Sequence, residues 1–102
     1  MDTSTLAVTH NEAANRFEIP LEGALAVLEY TLHNRTMAIT HTGVPRPFEG
    51  RGVASRLTRA ALEYARDQGY AVAPYCPFVA RYLDRHPEFG ALRAPNDASP
   101  RG

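Results

Sequence analysis

The stretch Phe48-Glu49-Gly50-Arg51-Gly52-Val53-Ala54-Ser55 constrains this chain more than any other, because glycines at 50 and 52 lead directly into a helical pattern. A turn of that composition folds tightly and brings bare N–H groups against a ligand. The helix that follows adds unpaired donors and the positive end of its dipole. An extended run over residues 36–42 precedes the turn, and a helix reaching about Gln68 follows it. Strand, glycine turn and helix in that order form a pyrophosphate site in several unrelated folds, so a nucleotide-like cofactor is expected here. A Walker-type loop is excluded because Gly-Lys-Ser/Thr is absent. A dinucleotide fold needs a longer chain with repeated βαβ units.

The flanking segments set the fold class. Alternation over residues 6–10 predicts a first strand, and residues 16–19 a second after the polar turn at residues 11–15. Pro20-Leu21-Glu22-Gly23 supplies turn chemistry before a third run over residues 24–30. Ala, Leu and Glu in that run favour helix. Because it is short, bounded by Gly23 and His33-Asn34 and set among extended neighbours, a strand is expected instead. The fourth strand, residues 36–42, ends at Gly43-Val44-Pro45-Arg46-Pro47, where two prolines block ladder pairing.

From Gly50 the period changes: Val53, Leu57, Ala60, Ala61 and Tyr64 share one helical face, and Gln68-Gly69 closes the helix with a left-handed glycine. Residues 70–74 read as a short strand, and residues 77–85 as a second, shorter helix with Val79, Tyr82 and Leu83 inward. His86-Pro87-Glu88-Phe89 ends it, Leu92 is placed in a last extended segment, and residues 93–102 in a disordered tail. The order β-β-β-β-α-β-α predicts an α+β fold. Its mixed sheet has about five to six strands, with an antiparallel meander and a parallel crossover around the long helix.

With 102 residues and 44% apolar content, the chain supports one core, hence a single domain over residues 1–92. Zero formal charge with scattered basic residues argues against nucleic-acid or membrane partners. No apolar run approaches the roughly 20 residues of a spanning helix, and no signal-peptide pattern is present, so a soluble cytoplasmic protein is expected. Cys76 is the sole cysteine, which excludes an internal disulfide framework, and no Cys/His spacing suits a metal site.

Taken together, element order and turn resemble the GNAT superfamily of acetyl-CoA-dependent N-acetyltransferases, in particular its minimal single-domain branch. The match rests on His41-Thr42-Gly43-Val44-Pro45, on Gly50-Arg51-Gly52-Val53-Ala54, and on Pro74-Tyr75-Cys76-Pro77-Phe78-Val79 with Arg81-Tyr82 and His86-Pro87-Glu88-Phe89. It covers about residues 5–92. The superfamily motif of Gln or Arg, two residues, Gly, one residue, then Gly or Ala maps onto Glu49, Gly52 and Ala54, with Glu49 the departure. An acidic side chain there cannot donate to phosphate, so the backbone amides of residues 50–54 and the Arg51 side chain would supply the contacts. The resemblance implies that acetyl-CoA lies where the fourth and fifth strands splay apart, its thioester carbonyl accepting an N–H near Val44 and its pyrophosphate resting on the glycine turn.

Three side chains are candidates for chemistry. Cys76 lies between a strand and a helix start, where the dipole favours a thiolate. It is read either as a buried small hydrophobe or as a residue that is acetylated or shapes the acetyl pocket. His41 ends the strand bordering the acetyl group and is read either as a structural residue or as the general base for an incoming amine. Tyr82 corresponds roughly to the tyrosine that protonates the departing CoA thiolate in many family members, and its register fits core packing equally; Tyr75 is the substitute if the register slips. Arg51, an exposed guanidinium in an anion-binding turn, matches phosphate geometry. His86 is assigned no chemistry.

The function expected is acetyl transfer from acetyl-CoA to an unidentified primary amine by direct attack in a ternary complex, by a monomer or homodimer. The alternatives are a non-catalytic acyl-CoA-binding module and a cysteine hydrolase, the latter requiring a Cys76–His41 pair and no CoA.

Overall fold

The computed structural model describes residues 7–94. Its first four strands are joined by short turns whose geometry follows from their residues. Strands β1 (Thr9–Asn11) and β2 (Arg16–Leu21) are linked by a 3-10 turn, Glu12–Ala14, in which the Asn11 side chain accepts from the Ala14 N–H at 3.1 Å. Between β2 and β3 (Ala24–His33) only Glu22 and Gly23 intervene, with Gly23 at φ 70°. The run that combines helical propensity with extended surroundings is thus a strand, and a long one. Tertiary pairing outweighs propensity when both neighbours are extended.

The hairpin from β3 to β4 (Thr36–Gly43) turns through Asn34 and Arg35, both at positive φ, the geometry that matches strand twist in a two-residue loop. Arginine rarely adopts that conformation. Here its guanidinium donates to the Gln68 carbonyl at 2.7 Å and lies 5.5 Å from the Tyr70 ring, tying the hairpin to the end of the long helix.

Helix α1 (Val53–Gln68) ends at Gly69, φ 75°, and strand β5 (Ala71–Pro74) then pairs parallel with β4. The sheet order is β1-β2-β3-β4-β5, the expected meander followed by one parallel crossover. Helix α2 (Pro77–Arg85) begins after Cys76 and buries Val79, Tyr82 and Leu83, as its periodicity predicts. The buried face of α1 carries Val53, Leu57, Thr58, Ala61, Leu62 and Ala65, while Ala60 and Tyr64 lie at its margin. Thr58 is tolerated there because its hydroxyl donates to the Ala54 carbonyl one turn back at 2.8 Å. Among the described residues no helix is long and apolar enough to cross a membrane.

Several boundaries differ from expectation: β2 runs on through Pro20 and Leu21, which the sequence places in a turn, β3 extends to His33, and both ends of the described chain are shifted. The first strand starts at Thr9, not residue 6; its alternation is anchored by His10, whose ring stacks on Phe17 at 4.0 Å and hydrogen-bonds the Tyr30 hydroxyl. Burial lowers the His10 pKa and pushes Tyr30 up to about 12, so the pair meets as a neutral imidazole and a neutral phenol. At the other end Leu92 closes a 3-10 turn, Pro87–Leu92, in place of an extended segment. Arg93 instead bridges Val72, and the Ala94 N–H donates to the Val72 carbonyl at 2.7 Å, so contacts run two residues past the expected boundary. Leu6 and the remainder of the expected tail lie outside the described residues.

Candidate functional site

Strand β4 positions the site. Over residues 36–39 it lies between β3 and β5. The Cys76 N–H then donates to the Ile39 carbonyl at 3.0 Å and the chain enters α2, leaving the last part of β4 paired with β3 alone. The splay between the fourth and fifth strands therefore begins at Thr40.

At the same point β4 holds one residue more than β3. Tyr30 pairs with Ile39 and Glu29 with His41, which leaves Thr40 as a bulge. Successive side chains of a strand face opposite sides, so the extra residue inverts the alternation. Thr42 now shares a face with Ile39, toward α1, and His41 shares the opposite face with Gly43. Burial follows suit, with Thr40 and His41 exposed in succession.

A cavity of about 440 Å³ opens at this strand end. Thr42 of β4, Val44 just after it, Phe48 to Gly50 of the connecting turn, Gly52 to Ser55 at the start of α1, and Phe78 of α2 line it. The turn is built by glycines 50 and 52 at φ 78° and 81°, and a methyl placed on Gly50 would meet nothing within 4 Å. Gly52 is also the N-cap of α1. No side chain caps the helix and no acidic residue occupies its first turn, so no side chain competes with a ligand for its leading amides. Bare backbone, an uncapped helix start and open space are what a pyrophosphate requires, and the residues present fit one. Glu49 also lines the cavity and brings a carboxylate to its edge.

The remaining candidates are distributed around this cavity unequally. Val44, Gly50, Gly52, Val53 and Ala54 line it, whereas Arg51 is exposed in the same turn and its side chain is not part of the wall. Cys76 is the N-cap of α2, is 7% exposed, and its thiol donates to the Thr42 hydroxyl at 3.5 Å. His41 lies across the sheet from that pair, so the two do not form a nucleophile–base couple. Tyr82 is buried, with the Arg59 side chain of α1 among its polar neighbours; its ring stacks on His86 at 3.8 Å. Tyr75 is exposed at the turn after β5. Thr42, Phe48, Ser55 and Phe78 complete the wall; the sequence includes them in its motif segments but assigns none of them a role. The first two follow from the parity change at Thr40 and from the 3-10 turn Arg46–Phe48, neither of which leaves a local signal.

A five-stranded mixed sheet splayed at β4, with a glycine turn feeding an uncapped helix, defines an acetyltransferase-type fold. The family model for the GCN5-related N-acetyl-transferase matches residues 16–92, and the chain belongs to that family. Protein NATD1 of Xenopus tropicalis is 28% identical over 89 residues, spanning 83% of this chain and 81% of that protein. Its Homo sapiens counterpart is 28% identical over 86 residues, spanning 80% and 75%. A GCN5-like protein from Staphylococcus aureus, solved in solution by NMR, superposes with a TM-score of 0.70 at 29% identity, covering 89% of this chain and 90% of that one.

Proposed function

We propose that this protein is a cytoplasmic acetyl-CoA-dependent N-acetyltransferase that acts on a primary amine by direct attack in a ternary complex. The observation that carries the reading is the cavity at the splayed end of β4, bounded by an uncapped helix start and a glycine turn. The amides of residues 50–54 hold the pyrophosphate, assisted by Arg51 at the rim, and the backbone near Val44 binds the thioester carbonyl. Cys76 and Thr42 shape the acetyl pocket from the α1 side. A thiol that donates to a neighbouring hydroxyl suits this role better than that of a nucleophile.

Proton balance assigns the rest. An ammonium acceptor gives its first proton to the His41 imidazole, which passes it to solvent. As the C–N bond forms and the C–S bond breaks, sulfur leaves with the electron pair and takes the second nitrogen proton. Tyr82 is the candidate relay for that proton: its phenol protonates the departing sulfur and recovers the second nitrogen proton in exchange. Proximity and carbonyl polarisation supply most of the acceleration.

A second reading, a non-catalytic acyl-CoA-binding module, is favoured by Tyr82, which is buried and is not part of the cavity wall. Two measurements separate them. A ligand bound only by the native state raises the melting midpoint, so acetyl-CoA at millimolar concentration is expected to stabilise the protein under both readings; an unchanged midpoint removes both. Thiol release above background on adding a panel of primary amines is expected for the enzyme and absent for the module.

A further inference from the structure

The sheet face away from α1 carries a contact that the fold alone does not require. A Cβ built on Gly43 would lie 2.9 Å from His41 Nε2, 3.6 Å from its Cε1 and 3.7 Å from its Cδ2. The imidazole therefore lies along the strand, over the α-carbon of Gly43, with its tip toward the splayed end of β4. Gly43 is not among the glycines held at positive φ, so its backbone conformation is open to any residue. What the glycine provides is room, and the His41 ring fills it. Among the described residues no side-chain hydrogen bond holds the ring, which leaves this van der Waals seat as its local constraint.

The position has a chemical consequence. From Thr40 onward β4 has no β5 neighbour, so the splay opens toward both faces of the sheet. Thr42 and Cys76 border it on the α1 side, and His41 borders it on the other. We propose that Gly43 is a positioning residue for the acceptor base: its missing side chain seats the His41 imidazole at the splay, where Nε2 meets the ammonium of an amine arriving over the sheet face opposite α1. This rests on the acetyl-transfer reading above. Any side chain at position 43 displaces the ring and moves Nε2 away from the reacting nitrogen.

The test uses the full chain with Gly43→Ala, His41→Ala and the double substitution. By NMR, the wild type gives an NOE between the His41 ring protons and the Gly43 α-protons; its absence overturns the seating. With acetyl-CoA and benzylamine, spermidine or Nα-acetyl-lysine as acceptors, thiol release reports kcat and KM. Removing a general base costs about 100-fold in kcat/KM, and misplacing it about tenfold, with acetyl-CoA affinity unchanged in Gly43→Ala. The decisive comparison is on the His41→Ala background, where Gly43→Ala is expected to have no further effect. An equal tenfold loss there shows that Gly43 acts independently of His41 and overturns the proposal. If the wild type releases no thiol with any of the three amines, the acetyl-transfer reading fails and the role given to His41 fails with it, while the NOE still decides whether Gly43 seats the ring.

Discussion

Gly50 and Gly90 allow the conformational demand of the glycine turn to be separated from its steric demand. A Cβ at either position meets no atom within 4 Å, so Gly→Ala adds no clash at either. Gly50 has φ 78°, whereas Gly90 lies in the 3-10 turn Pro87–Leu92. Holding an L-residue in the left-handed region costs roughly 1–2 kcal/mol. The added methyl returns about 0.4–1 kcal/mol by restricting the unfolded chain. The net expectation for Gly50→Ala is a loss of about 1 kcal/mol, or roughly 5 °C in Tm for a domain of this size. Gly90→Ala carries the unfolded-state term without the strain and is expected to gain about 0.5 kcal/mol.

Binding should diverge further. A turn that relaxes toward negative φ rotates its amides out of the cavity, and loss of one amide–phosphate hydrogen bond weakens acetyl-CoA binding about tenfold. Gly90→Ala leaves affinity unchanged. Urea unfolding followed by circular dichroism gives the stabilities, and isothermal titration calorimetry gives the affinities. If Gly50→Ala is as stable as Gly90→Ala, the turn does not need a left-handed residue. If it is destabilised but binds acetyl-CoA as tightly as the wild type, the amides of this turn are not the phosphate donors.

Glu49→Gln removes a carboxylate from the cavity edge, and at about 7 Å from a doubly charged group in a water-like dielectric the relief is about 1 kcal/mol. A gain of about fivefold in acetyl-CoA affinity at low salt, shrinking as salt rises, is expected by calorimetry; unchanged affinity would place the phosphates elsewhere. Arg35→Ala breaks the tie from the β3–β4 turn to Gln68 and is expected to cost about 1 kcal/mol in urea unfolding without altering binding, whereas a neutral result means the exposed contact contributes nothing. His10 has a lowered pKa through burial, so the unfolded state takes up protons before the native state does. Its contribution is complete above the unfolded value near 6.5 and is lost as pH falls from there toward the depressed native value. His10→Phe should accordingly flatten the dependence of the urea midpoint on pH just below neutrality, and an unaltered slope refutes the assignment.

Much of the fold was legible because its signals are local. Gly23 and Gly69 mark turns, the spacing of Val53, Leu57 and Ala61 marks a buried helical face, and the glycine turn with its helix start marks the cavity floor. The first two hold for any chain that must reverse or cap a helix there. What was not legible depends on pairing partners distant in sequence. Tyr82 is buried as its register in α2 predicts, yet it is not in the cavity wall, because register inside one helix does not fix where the phenol lies relative to a distant strand end. Arg35 at positive φ breaks residue preference and is held by a carbonyl 33 positions away.

The bulge at Thr40 is the most consequential of these. Read as a regular strand, Thr36 to Gly43 alternates so that Ile39 and His41 share the face toward α1, placing an imidazole in the core and turning Thr42 out. Burying an imidazole without a partner costs free energy, and Cys76 would lose the hydroxyl that accepts its thiol proton. One extra residue resolves both conflicts, and only pairing with β3 reveals it. It also falls where β5 pairing stops, so β4 turns Thr42 to one side of the splay and His41 to the other. A strand with unbroken alternation could not bring those two successive side chains to these faces while keeping Ile39 in the core. The two-sided arrangement on which acetyl transfer would depend therefore rests on a backbone irregularity of one residue.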